Sequence, residues 1–457
     1  MMNKKMLGQK PRYLLTATLA ATSVLLLTPA SAMPLYDQDG AQLNFDFEAI
    51  VGSFHSQESY AQLNATEEGS DWQEGYAKYG LSGSKTYGEG QASLFGAANL
   101  ISTATWGDGD AAGFTTGDEA QTDIEDLYVG WRSGKLLSAL GENGFEISLG
   151  SQNVTIGDGF LINGDALSFG KGFDAIPGAP EFDRGGAYWL AGKKAFDKTL
   201  VIRLGGQTGL RSDIFWLESD NPVQGMMELG GINLEYVADP GVLAVSYIEG
   251  LGVDANSAGF LGLTHRDGQQ TLSIRGQGNA GVEGLFLSAE FVDQSQGDQT
   301  RADADAYYVE AGWTFADLPW SPSVNYRYSS FDQGFDPLFF GFNRGYGTWF
   351  QGEVAANYAG PFNRDADVQH IALKASPSET LALGALWFDF SDTSGGSGGL
   401  NAQEINLYAE WVAHEHLIIS PLLGFYSPDN STLSGGGTQI GNSDTNTYFQ
   451  IIAIVPF

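Results

Sequence analysis

Leu43-Asn44-Phe45-Asp46-Phe47-Glu48-Ala49-Ile50-Val51-Gly52 is the stretch whose reading decides the fold. Leu43, Phe45, Phe47, Ala49 and Val51 occupy alternate positions, and Asn44, Asp46, Glu48, Ile50 and Gly52 lie between them. Successive side chains of an extended chain point to opposite faces, so this period of two predicts a strand with one apolar and one mostly polar face. The pattern returns at Leu285, Leu287, Ala289 and Phe291 around Ser288 and Glu290, at Tyr307, Val309, Ala311 and Trp313 around Tyr308 and Glu310, and at Ile405, Leu407, Ala409 and Trp411 around Asn406, Tyr408 and Glu410. Each run is about ten residues long, the length a tilted strand needs to cross a bilayer core.

The joins between runs alternate in length. Those at 84–88, 196–198, 238–240, 278–281, 316–320, 376–378 and 413–415 are short and rich in Gly, Pro, Asp and Ser, with a looser one at 134–143. Between them lie nine long polar loops, over 54–72, 102–122, 154–183, 208–225, 250–266, 294–303, 332–365, 391–401 and 427–444. Nine long loops imply 18 strands. A soluble sandwich has no reason to gather every long loop at one end, whereas outer-membrane barrels pair short periplasmic turns with long extracellular loops. The expected fold is all-β: a transmembrane antiparallel β-barrel of about 18 strands.

Composition agrees with this. The 457 residues include no Cys, 62 Gly, 57 aromatics and only 17% charged residues, which removes disulfide frameworks and thiol chemistry. A formal charge of −33 offers no basic stripe for nucleic acid, and 42% apolar residues argue against a disordered acidic chain. Lys4, Lys5, Lys10 and Arg12 precede an apolar run over 14–27, which ends at Pro29-Ala30-Ser31-Ala32. This reads as a cleaved signal peptide over residues 1–32, too short to span a bilayer, with one barrel domain over 33–457. Removing it takes four of the 22 basic residues and leaves 18 against 55 acidic ones. At the other terminus Phe449, Ile451, Ala453, Val455 and Phe457 alternate to a final aromatic, the pattern of a closing strand. Pro421 cannot donate to a ladder, so a bulge or strand end is expected there.

Three further stretches carry a family resemblance: Glu146-Ile147-Ser148-Leu149-Gly150-Ser151-Gln152 followed by Ile156-Gly157-Asp158, then Phe173-Asp174-Ala175-Ile176, and Phe335-Asp336-Pro337-Leu338-Phe339 before Gly341. In these the chain resembles the alginate-export family of outer-membrane porin-like barrels. The resemblance implies 18 strands and passage of a polyanion through a pore rich in Arg and Lys. Ser151 stands where that family usually carries Arg.

Catalytic and metal chemistry have little to rest on, so neither an enzyme nor a cofactor is expected. His414-Glu415-His416 falls in a short turn with no third ligand in view, Asp108 and Asp110 lack an EF-hand pattern and read as a solvated acidic loop, and no Gly-x-Ser-x-Gly elbow occurs. Gly157-Asp158-Gly159 is not followed by a helix, as a dinucleotide site would require. Trp131, Trp189, Trp313, Trp387 and Trp411 read as an interfacial girdle.

Residues opposite the apolar set should face the lumen. Asp46, Glu48, Glu404 and Glu410 are among them, with Arg132, Arg203, Arg275, Arg327 and Lys374 expected to face Glu146, Glu235, Glu290 and Glu310 as opposed charged walls. An arginine turned outward would cost about 2–4 kcal/mol near the bilayer midplane. The loop 154–183, carrying Phe160, Leu161, Ile162, Leu167, Phe169, Phe173 and Ile176, is too apolar for a solvated loop and is expected to fold inward as a constriction, with Asp158, Asp165, Asp174, Asp183 and Arg184 at it. The expected function is passive passage of a hydrophilic solute across the bacterial outer membrane. The other reading is an adhesin or receptor acting through acidic extracellular loops. Expected partners are outer-membrane lipid and lipopolysaccharide, the solute, and the barrel-assembly machinery that reads Phe457.

Overall fold

The computed structural model describes residues 33–60, 69–89, 91–341, 351–355, 363–393 and 399–456. The expected signal peptide over 1–32 and the terminal Phe457 lie outside the described residues.

Eighteen strands pair antiparallel with their sequence neighbours, from Ala41–Ser56 to Asn446–Pro456, and the last closes on the first from Glu48↔Pro456 to Ser56↔Tyr448. A further strand, Met33–Gln38, turns at Asp39-Gly40 and pairs with the lower part of Ala41–Ser56, below the point where the closing strand ends. All residues of that strand are exposed.

The barrel is inside out relative to a soluble protein. On Leu285–Ser295, Phe286, Ser288, Glu290, Val292 and Gln294 are buried while Leu287 and Phe291 are exposed; on Ala402–His414, Glu404 and Asn406 are buried while Ile405, Leu407 and Trp411 are about half exposed. A continuous ring of such outward apolar side chains is what a hydrocarbon surround requires, and water would oppose it. Trp131, Trp313, Trp387 and Trp411 share this outer face, with Trp131 Nε1 donating to Tyr87 Oη at 2.6 Å.

Several expected boundaries move. The join expected at 196–198 is instead the start of the strand Phe196–Leu204, and the turn lies at 205–208. Gly205 makes it: φ is 96°, and a Cβ there would lie 2.4 Å from the Leu210 carbonyl oxygen. The expected loop 208–225 therefore contains the strand Gly209–Glu218, and the connection is 219–227. The long loop expected at 154–183 runs from 153 to 195. Tyr188-Trp189-Leu190 imitates a strand because the loop is buried; Trp189 belongs to an interior cluster with Tyr188 and Phe182 and is no girdle residue.

Pro421 lies within the strand Leu417–Pro428, neither at its end nor at a bulge. Pairing with the preceding strand lapses between Tyr408↔Leu422 and Trp411↔Ile419, and Ser420 Oγ donates to the Ala409 carbonyl at 2.9 Å, supplying the bond that proline cannot.

Candidate functional site: the lumen and its inserted loops

The inward charges are neighbours on adjoining strands. Arg132↔Glu146, Glu146↔Arg203 and Arg203↔Asp213 are successive register pairs, and Glu146 accepts Arg132 Nε at 2.5 Å and Arg203 Nη1 at 2.6 Å, with Asp213 3.5 Å from Arg203 Nε. Glu235 accepts Arg211 Nε at 2.8 Å and also Arg275, whose guanidinium reaches Asn233 at 3.0 Å and Ser246 at 3.1 Å. Glu290 stands opposite Arg275 and accepts Ser273 Oγ at 2.5 Å. Arg327 stands opposite Glu310 and donates to Gln351 at 3.0 Å. Lys374 pairs with Glu410 across Gly384, where a Cβ would collide with the Tyr408 ring.

All nine expected lumen residues are thus on the inner face, yet in place of opposed walls the acids and bases alternate around the wall. The pattern follows from the sheet, because side chains directly opposite on adjacent strands are about 5 Å apart at Cβ and an opposite-charge pair contributes about 0.2–1 kcal/mol there.

Sequence reading missed a β-bulge. The register between Ala92–Gly107 and Asp118–Arg132 shifts between Asn99↔Asp126 and Leu100↔Ile124, so Glu125 and Asp126 are both buried on the inner side. Asp126 holds Lys78 at 2.5 Å and Asn99 Nδ2 at 2.9 Å. The outward residues Ile124 and Leu127 are three apart, an odd spacing that marks the extra residue.

Connection 153–195 folds into the barrel, as its apolar content implied. Phe160 packs against Tyr308, Phe331 and Phe335, and Phe169 stacks on Phe114 at 4.2 Å. Asp158 accepts Tyr308 Oη at 2.7 Å from the opposite wall. Asp165 is fully buried and accepts Ser219 Oγ at 2.7 Å and Asn221 Nδ2 at 2.9 Å, while Arg184 donates to the Asp165 carbonyl at 3.1 Å and to Asp220 at 2.9 Å. Burial raises the Asp165 carboxyl despite Arg184 beside it. Asp183 accepts Gly185 N at 2.8 Å in a local turn, and Asp174 is exposed.

Wall carboxylates grip this loop by its backbone, which no sequence signal announced. Glu74 Oε2 accepts the N–H groups of Trp189 at 3.0 Å and Leu190 at 3.2 Å; Glu125 Oε1 accepts those of Lys194 at 2.9 Å and Ala195 at 3.2 Å. Glu404 likewise accepts Glu353 N at 2.7 Å, Val354 N at 2.9 Å and Ala355 N at 2.8 Å from a second inserted segment. In the loop 108–117, Asp110 is buried and accepts Ala112 N and Thr115 N, so it organises its loop where a solvated acid was expected; burial pushes it up to about 6.

The two quoted motifs around Asp158 and Asp336 meet inside the barrel. Phe339 N donates to Leu161 O at 3.0 Å, Asn163 N to Phe339 O at 2.7 Å and Gly341 N to Gly159 O at 2.7 Å. Asp336 anchors this second loop: Arg266 donates to both its oxygens at 2.7 Å and His265 Nε2 lies 2.7 Å from Oδ2, all three residues being buried. Burial alone would raise Asp336, but the Arg266 guanidinium and the His265 bond outweigh it and hold the carboxyl well below its ordinary range.

Between loop and wall remains a cavity of about 640 Å³ lined by Asp46, Glu48, Lys78, Glu125, Lys194 and Arg203, among others. A smaller one of about 190 Å³ lies by Asp158, Arg211, Glu235, Arg275 and Tyr308.

No family model and no curated protein matches the sequence. Solved structures do match. Outer membrane protein OprD from Pseudomonas aeruginosa superposes with a TM-score of 0.55 at 11% identity, covering 94% of this chain and 96% of that one. OccK5 (OpdH) of the same organism gives 0.55 at 9% identity, over 90% and 98%, and OccAB4 of Acinetobacter baumannii gives 0.54 at 11%, over 90% and 97%. At such identities the likeness is one of fold: a closed 18-strand antiparallel β-barrel matching outer-membrane porin structures. The alginate-export resemblance gains no support from these matches.

Proposed function

We propose that the chain is a bacterial outer-membrane pore that lets small hydrophilic solutes pass passively. The observation that carries this reading is a barrel with an apolar exterior and a charged interior, in which an inserted loop leaves a polar cavity of about 640 Å³. Barrels of 16–18 strands are wide enough for an aqueous channel, and a loop folded inside narrows it. Export of a polyanion such as alginate is not proposed, because Arg132, Arg203, Arg211, Arg275 and Lys374 are each paired with a carboxylate and form no uninterrupted cationic track. The receptor reading draws on one observation, the amount of lumen filled by 153–195 and 332–341. Swelling of proteoliposomes in isotonic sugars or amino acids separates the two. A pore gives size-dependent swelling, and a plugged receptor gives none.

A further inference from the structure

We propose that Lys194, carried into the lumen by the loop and not by a barrel strand, sets the charge preference of the pore, and that Glu125 is the residue that positions it. The inference rests on the pore reading above.

The segment 185–195 follows the wall in a constrained path. Gly185, Gly186, Ala187 and Ala191 all have positive φ, of 87°, 68°, 54° and 48°. A left-handed alanine costs about 1–2 kcal/mol and persists only where its surroundings dictate it. Here Ala187 N donates to Thr105 Oγ1 at 2.8 Å, Trp189 and Leu190 are gripped by Glu74, and Lys194 and Ala195 by Glu125. Close approach requires glycine: a Cβ on Gly192 would lie 2.6 Å from the Tyr76 ring. The Lys194 carbonyl accepts Asp165 N at 2.8 Å, so both backbone polar groups of this residue are fixed.

Its side chain lines the larger cavity. Glu48 and Tyr76, bonded to each other at 2.6 Å, Lys78 and Glu125 face it from three strands, with Asp46, Asp126, Arg132, Glu146 and Arg203 farther around the same chamber. Lys78 is held by Asp126, and Arg132 and Arg203 share Glu146, so the wall cations sit in ion pairs built by the sheet. Lys194 adds a charge to the same chamber from the inserted loop, beside Glu48 and Glu125, where low-dielectric walls concentrate the field. Burial holds its ammonium below the ordinary lysine range, although Glu48 and Glu125 pull the other way. The positive charge is therefore lost at a lower pH than that of an ordinary lysine.

The test is reversal potential in a KCl gradient across planar bilayers holding the purified full chain. Lys194→Gln should raise the K⁺/Cl⁻ permeability ratio about threefold and Lys194→Glu about tenfold. The wild-type ratio should climb more steeply with alkaline pH than that of Lys194→Gln. Because the chain has no Cys, Lys194→Cys offers a single target for thiosulfonate reagents. A cationic reagent should return the ratio towards wild type and an anionic one drive it further away. In a Glu125→Gln background the Lys194→Gln shift should shrink. A conducting Lys194→Glu channel with the wild-type ratio, or a Lys194→Cys channel indifferent to both reagents, overturns the assignment. A wild-type barrel that inserts without conducting overturns the pore reading itself, and the assignment with it.

Discussion

Asp336→Asn is the most informative single substitution for the inserted loops. The carboxylate receives two bonds from Arg266 and one from His265, each 2.7 Å, and one from Leu338 N at 3.0 Å, all in a buried setting. Arg266 also donates to the Gln224 carbonyl at 3.0 Å, so the hub joins connections 219–227, 253–269 and 332–341. Asparagine keeps the volume and removes the charge, leaving the guanidinium buried without its counter-ion. Breaking such a pair costs about 3–5 kcal/mol. The barrel ladder does not depend on it, so the loss should be local: amide exchange over 264–269 and 335–341 should accelerate roughly a hundred- to several-thousandfold, while strand amides keep their protection. Because Asp336 is held well below its ordinary value, its contribution is complete above about pH 4 and declines as pH falls through the lowered value. The wild-type loops should then loosen in acid below that point, and those of the variant should lack this dependence. Unchanged exchange in Asp336→Asn would show that the hub does not hold the loops.

Deleting 160–176 should raise single-channel conductance, since Phe160, Phe169 and Phe173 fill the lumen there; a correctly inserted deletion with unchanged current would contradict it. Arg203→Gln should shift reversal potential towards cations, because Glu146 then retains Arg132 alone. Gly205→Ala should lower stability by about 1–2 kcal/mol in thermal melts in detergent, the left-handed turn and the Leu210 carbonyl both opposing a Cβ. Asp110, raised from 3.8 to about 6, favours the folded loop when protonated, so amide protection over 108–117 should fall as pH rises between those values and then level off. Asp110→Asn should flatten that profile.

Strand alternation made the barrel legible, because a lipid-facing wall must be apolar at every second residue, as Leu285–Ser295 and Ala402–His414 are. Most long-loop positions followed from composition, those expected at 154–183 and 208–225 excepted, and the inward fold of 153–195 from its aromatics. What misled was the same rule applied inside the lumen: Tyr188-Trp189-Leu190 reads as a wall segment, and the true turn at Gly205 was passed over. The bulge at Glu125 left only a spacing clue. That Glu74, Glu125 and Glu404 bind loop backbone instead of facing solute had no clue at all, because backbone acceptors leave no mark on the partner's residue type. The alternating ion pairs were likewise out of reach until cross-strand register was known.

Single-channel recording from the purified wild-type barrel in a planar bilayer tests the central claim most directly. A charged cavity of about 640 Å³ beside an inserted loop predicts discrete, ohmic conductance steps that grow when 160–176 is removed. Insertion proven by protease-resistant, heat-modifiable protein, yet silent at every applied voltage with and without that segment, would contradict it.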